Sequence, residues 1–103
     1  MNYKLIITER AEELLDDLLH YLLYQIKNEQ AARHLLDSAE QVYSRLEENP
    51  FQFPKCRNSY LSQLGYREAV FPGMKYLAIF RVKENNVFIV GVFHELEQYQ
   101  DKL

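Results

Sequence analysis

Two periods of apolar residues divide this chain. In the second half they alternate with the two-residue period of strands, in three segments: GYREAVF (65–71), KYLAIFRVK (75–83) and VFIVGVFH (87–94). A Pro72-Gly73 turn and the polar triplet Glu84-Asn85-Asn86 separate them, which predicts an antiparallel meander carrying Arg67, Arg81 and His94 on or at the ends of its strands. Both faces of the last two strands are largely apolar, more than a half-solvated sheet needs, so part of the second face should be covered, a partner chain being one candidate cover.

In the first half, Tyr3, Leu5 and Ile7 alternate with Asn2, Lys4 and Ile6, a short opening strand. Thr8 then offers an N-cap hydroxyl, with Glu9, Glu12 and Glu13 where a helix dipole favours negative charge. Leu14, Leu15, Leu18, Leu22 and Ile26 recur at helical spacing, widened by Leu19 and Leu23. Asn28 can cap a second helix, whose stripe is Ala32, Leu35, Leu36, Ala39, Val42, Tyr43 and Leu46 and which Asn49-Pro50 ends. The linker from Phe51 to Gln63 holds the apolar anchors Phe51, Phe53, Tyr60 and Leu61, so it should be pinned to the body. The tail from Glu95 is polar and reads as a short helix or a frayed end.

The result is one α+β domain over residues 1–103, in the order β-α-α-β-β-β, with two helices packed on one face of an antiparallel sheet. Cys56 is the sole cysteine, which excludes an intrachain disulfide and suits a reducing, cytoplasmic setting. Neither a leader-like segment nor an apolar run of membrane-spanning length is present, so no membrane association is expected. Glycine-rich phosphate loops, metal-ligand spacings and internal repeats are absent, so no cofactor or metal is indicated.

The net charge of -3 conceals an asymmetry. Residues 1–50 carry 5 Lys/Arg against 10 Asp/Glu, whereas residues 51–94 carry Lys55, Arg57, Arg67, Lys75, Arg81 and Lys83 against only Glu68 and Glu84. The helical half is acidic and the sheet half basic, which makes the sheet the better candidate for a polyanion or an acidic partner.

In order along the chain, Ile7-Thr8-Glu9-Arg10-Ala11, the helical pair with Ala32, the Leu46-Glu47-Glu48-Asn49-Pro50 exit, Leu64-Gly65-Tyr66-Arg67, Tyr76 to Val82 and Val90-Gly91-Val92-Phe93-His94 resemble the RelE/ParE toxin superfamily. The pattern is nearer its ParE-like branch. These are toxins of type II toxin-antitoxin modules, also labelled plasmid-stabilisation proteins. The resemblance implies helices packed on one face of an antiparallel sheet, and a cognate antitoxin that wraps the toxin. It further implies one of two activities: inhibition of DNA gyrase by binding, or RelE-like cleavage of messenger RNA on the ribosome. An inactive relative that only binds antitoxin is a third reading. The chain is less basic than the ribosome-dependent nucleases usually are, and after His94 its only cation is Lys102, which ranks the gyrase-type binder first.

Arg67 stands where the family frequently carries an arginine. In a nuclease its guanidinium would hold the scissile phosphate, and His94 would move the proton, with Tyr99 as a second donor. The bland alternatives are a carboxylate-paired edge arginine, a locally bonded strand-end histidine and a tail anchor. In a binder, Arg67, Arg81, Lys83, Lys55, Arg57 and Tyr99 are the expected contacts, through arginine and aromatic anchors and electrostatic capture. Glu68 follows Arg67 directly, so on a strand the two point to opposite faces and do not form an acid-base pair.

Overall fold

The computed structural model describes residues 2–103. Strand β1 (Lys4–Ile7) leads into α1 (Glu9–His20), and α2 (Glu29–Glu48) precedes a short helix, α3 (Ser59–Gln63). The meander follows as β2 (Tyr66–Val70), β3 (Tyr76–Lys83) and β4 (Asn86–His94). The sheet order is β1-β4-β3-β2. The meander is antiparallel as expected, while β1 joins its open side parallel to β4, so the sheet as a whole is mixed.

Local chemistry sets these boundaries. Thr8 accepts the Ala11 N–H at 3.2 Å and donates its hydroxyl to the Ile89 carbonyl at 2.8 Å, so one side chain caps α1 and fixes its start against β4. Asn28 caps α2 by accepting the Ala31 N–H at 3.0 Å. Between the helices the backbone widens into a π-type turn at Tyr21–Gln25, in which the Ile26 N–H reaches back to the Tyr21 carbonyl at 3.0 Å. That turn rotates the end of the expected stripe outward: Leu22 stays buried, while Leu23, Ile26 and the flanking Tyr21 and Tyr24 are exposed.

The principal core lies between the helices and one face of the sheet. Ala11, Ala32, Leu35, Ala39, Val42 and Leu46 meet Phe80, Ala78, Val87, Ile89 and Val92 there. Each large apolar side chain so buried contributes about 1.5–3 kcal/mol. The β2–β3 turn docks on α2 through Ser38, whose hydroxyl donates to the Pro72 carbonyl at 3.1 Å. Gly73 takes φ +72 there, a conformation that favours glycine, and the His34 ring lies 3.1 Å from where a Cβ would sit.

The alternation expected along β4 breaks once. Phe80 opposes Ile89 but Ile79 opposes Gly91, which leaves Val90 as the extra residue of a β-bulge. Beyond it the faces exchange: Val92 joins Val87 and Ile89 on the helix side, and Phe93 turns to the second face.

That second face is covered in part by the chain itself. Leu61 of α3, Cys56 and Tyr99 pack on Leu77, Ile79 and Phe93. Tyr99 opens a single 3-10 turn (Tyr99–Asp101) and stacks on Phe93 with ring centroids 5.5 Å apart. The cover expected from a partner is therefore supplied over this half by the linker and the tail. The linker is pinned as expected by Phe53, Cys56 and Leu61, although Phe51 and Tyr60 stay exposed.

Candidate partner-binding surface

The half of the second face that the chain leaves open is defined by register. Phe80 and Ile89 point toward the helices, so their neighbours Arg81 and Phe88 point away. Tyr66 opposes Arg81, Arg81 opposes Phe88, and Phe88 opposes Ile6, which makes one row across all four strands. The next row runs from Lys83 through Asn86 to Lys4. Three cations thus stand over a floor of Tyr66, Phe88, Ile6 and Val90. Tyr66, Arg81, Lys83, Phe88, Val90 and Thr8 enclose a groove of about 410 Å³.

Electrostatically this surface is unneutralised. Among the described residues, ion pairs join Arg10 to Glu13, Arg33 to Glu29, Arg57 to Glu68 and Lys102 to Glu97, and none engages Lys4, Arg81 or Lys83. Arg81 instead lies over the Tyr66 ring, 5.6 Å from its centroid, which orients the guanidinium while leaving its N–H groups free. A cationic rim on an aromatic and aliphatic floor suits a partner that offers carboxylates beside apolar side chains.

The remaining expected residues are dispersed. Arg67 turns to the helix side, donating to the Phe53 carbonyl at 2.7 Å with its guanidinium 5.0 Å from the Phe51 ring centroid. It fastens the Pro50–Gln52 turn to β2. His94 packs edge-on to Tyr76 with centroids 5.4 Å apart, and its Nδ1 accepts the Leu96 N–H at 3.1 Å, which places the proton of the neutral ring on Nε2. Arg67 opposes Phe80 and His94 opposes Tyr76. The pair is therefore separated by about 13 Å along the strands and about 10 Å across them. The structure does not bring them together on one phosphate.

Lys55 lies outside β2, bridged to Arg67 through the backbone, with its side chain exposed. Arg57 holds Glu68: its backbone N–H donates to Oε1 at 2.8 Å and its Nε lies 3.3 Å from Oε2. Glu68 is buried on the second face and Arg67 lies on the first, as their adjacency requires. Tyr99, expected as an accessible contact, is only 6% exposed and belongs to the minor core. Burial, with Glu68 and Cys56 nearby, raises its phenol above the ordinary value. Burial and the Glu68 carboxylate likewise push the Cys56 thiol up to about 12, so it remains protonated near neutrality.

Arg81 and Lys83 are thus the expected residues that meet on one open surface. Lys4, Ile6, Tyr66 and Phe88 complete it and were not singled out from sequence. The signal lies in the strand pairing: once β1 is set beside β4, the alternation of Lys4 and Ile6 assigns both to the face of Arg81. Among the described residues, no group of three or more His, Cys, Asp and Glu side chains is placed to hold a metal ion, and no helix is long and apolar enough to cross a membrane.

Comparisons with known proteins bear on the fold and the family. The chromosomal ParDE toxin-antitoxin system of P. aeruginosa contains a chain that superposes with TM-score 0.72 at 24% identity, covering 89% of this chain and 95% of that one. A chain of the RelBE2 toxin-antitoxin complex of Mycobacterium tuberculosis superposes with TM-score 0.64 at 19% identity, covering 94% and 95% respectively. These two likenesses show the fold. No curated protein matches significantly. The family model described as the ParE toxin of the type II toxin-antitoxin system parDE matches residues 5–99, nearly the whole chain, and the protein therefore belongs to the ParE toxin family.

Proposed function

We propose that this chain is a toxin that acts by binding a cellular protein, DNA gyrase, and is silenced by a cognate antitoxin. Family membership supports the toxin role, and the two structural neighbours come from toxin-antitoxin complexes. The observation that carries the binding reading is the open cationic surface of Arg81, Lys83 and Lys4 over Tyr66 and Phe88. Arg81 and Lys83 make no ion pair within the chain, and a partner's carboxylates would neutralise them. Dispersal of Arg67 and His94 weighs against the alternative of RNA cleavage by that pair, which would need both at one phosphate.

The mechanism that follows is occupancy. Arginine and aromatic side chains held in a shallow groove concentrate binding energy, and the surrounding lysines steer an acidic surface toward it. Antitoxin and target would compete wherever both use this groove. The test is gyrase supercoiling with purified toxin, comparing wild type with the Arg81→Glu, Lys83→Glu double variant. Wild type should inhibit, the variant should need at least about tenfold more protein, and added antitoxin should restore supercoiling. Absence of inhibition at saturating wild-type toxin, with ribosome-dependent messenger cleavage by the same preparation, would overturn the reading.

A further inference from the structure

The open face sorts its side chains by chemistry as well as by row. Along the strands its two rows lie about 7 Å apart, two residues of extended backbone. One row runs from Tyr66 through Arg81 and Phe88 to Ile6, and the other carries Lys83 and Lys4 on either side of Asn86. Those two lysines stand two strands apart, about 10 Å, so their flexible side chains can converge on one anion. Glu84, in the adjoining turn, makes no ion pair with either. Of the two rings in the first row, Tyr66 already has the Arg81 guanidinium over one face. Phe88 is half-buried and, among the described residues, has neither an aromatic nor a cationic partner, so its ring is the free one. Groups able to read a ligand's edge are few. The Thr8 hydroxyl is engaged by the Ile89 carbonyl and the Ala11 N–H, and the side chains of Val82, Phe88 and Val90 offer no hydrogen bond.

We propose that this groove is a nucleoside-phosphate site, in which a free nucleoside triphosphate lays its base on Phe88 and Val90 and its phosphates on Lys83, Lys4 and Arg81. A nucleotide is a flat, largely apolar plate tied at short reach to a dense anion, and the two rows present partners for both in that order. The cavity of about 410 Å³ is of the size that small-molecule sites have. Stacking on a ring tolerates any base, and lysine meets phosphate as a point charge, so the site should respond to the phosphates and be indifferent to the base. This goes beyond the proposed function and does not rest on it. A nucleotide seated there would compete with an acidic protein partner for Arg81 and Lys83.

The isotopically labelled full chain is titrated with ATP and followed by its amide resonances, beside adenosine, tripolyphosphate, CTP, GTP and a single-stranded oligothymidylate. ATP should shift the amides of Lys4, Lys83, Phe88 and Val90. It should bind at least about tenfold more tightly than adenosine or tripolyphosphate, with CTP and GTP within about threefold of it. Added salt should weaken ATP and leave adenosine nearly unchanged. The Lys4→Glu, Lys83→Glu double variant should lose at least about tenfold in ATP affinity. Phe88→Leu keeps an apolar side chain but no ring, and should bring ATP down to the affinity of tripolyphosphate. The ligand series on wild type decides even where a variant misfolds. Tripolyphosphate bound as tightly as ATP, or a folded Phe88→Leu that holds ATP like wild type, reduces the groove to a plain anion patch and overturns the proposal, as do ATP shifts confined to other residues. An oligothymidylate bound more tightly than ATP through the same residues overturns the free nucleotide in favour of a nucleic-acid strand.

Discussion

Replacing Arg67 by alanine should weaken the fold, because its guanidinium is engaged in holding the Pro50–Gln52 turn to β2. The guanidinium donates to the Phe53 carbonyl at 2.7 Å and sits 5.0 Å from the centroid of the half-exposed Phe51 ring. A hydrogen bond from a charged donor contributes about 1.5–3 kcal/mol, and an exposed cation–π contact about 0.5–1 kcal/mol. Together these give a loss of about 2–4 kcal/mol on truncation. Native stabilities of small domains are about 5–15 kcal/mol, so the variant should remain folded but visibly weakened.

The assay is equilibrium urea unfolding of wild type, Arg67→Ala and Arg67→Lys, read by circular dichroism. With the slopes usual for small domains, the alanine midpoint should fall by about 1–3 M. Lysine can still reach the carbonyl as a point donor but lacks the planar group that stacks on Phe51, so it should lie between the other two. An alanine midpoint within error of wild type at an unchanged slope would refute the structural role and return Arg67 to the list of functional candidates.

Three further outcomes follow from other parts of the molecule. Gly91→Ala would drive a Cβ into the fully buried Phe93 ring, which is itself stacked on Tyr99, and should cost about 1–3 kcal/mol in the same urea assay. Cys56 should resist iodoacetamide in the native protein at pH 8 and react fully in urea, as read by intact mass, because burial holds its thiol up at about 12 and the thiolate is the nucleophile. Tyr43 is also raised to about 12, chiefly by burial and then by Glu12, so both groups keep their protons longer folded than unfolded. The stability they contribute is therefore full below about pH 9, where unfolded cysteine begins to ionise, and is lost as pH rises toward 12. A urea midpoint that rises between pH 9 and 11 would contradict the sign.

The two helices and the meander were legible because their periods are long and their ends are punctuated by Thr8, Asn28, Asn49-Pro50 and Pro72-Gly73. Two features were not. The bulge at Val90 cannot be read from an apolar run in which every residue suits either face, and it alone decides that Phe93 turns to the face opposite Val87 and Ile89. The π-type turn interrupts a leucine-rich stripe that is helical by composition, so the exposure of Leu23 and Ile26 has no compositional signal. Of the candidate site, charge asymmetry pointed to the basic half of the chain, and strand register sets Arg81 and Lys83 together on its open face. Arg67 lies on the helix side and Tyr99 in the minor core, apart from that face, because nothing local states which face of the sheet is already filled. Tyr99 comes from a tail whose polarity suggested solvent, yet its one ring completes the minor core.

The cations divide by whether they are bonded within the chain, and the two groups should respond differently to substitution. Arg67 and Arg57 serve the fold, one bound to a carbonyl and the other to the buried Glu68, so their removal perturbs structure before it informs on activity. Arg81 and Lys83 are exposed and make no ion pair within the chain, and surface charges of that kind usually change stability by no more than about 0.5 kcal/mol when substituted. Charge reversal at Arg81 and Lys83 should therefore separate binding from folding. The same urea midpoint as wild type, together with strong loss of antitoxin or target binding and a weakened salt dependence of association, is the expected result. Reversal at Glu13 or Asp17 on the acidic α1 should leave both quantities nearly unchanged. If the helix reversals weaken binding as much as the sheet reversals, association depends on net charge rather than on this groove, and the assigned surface is wrong.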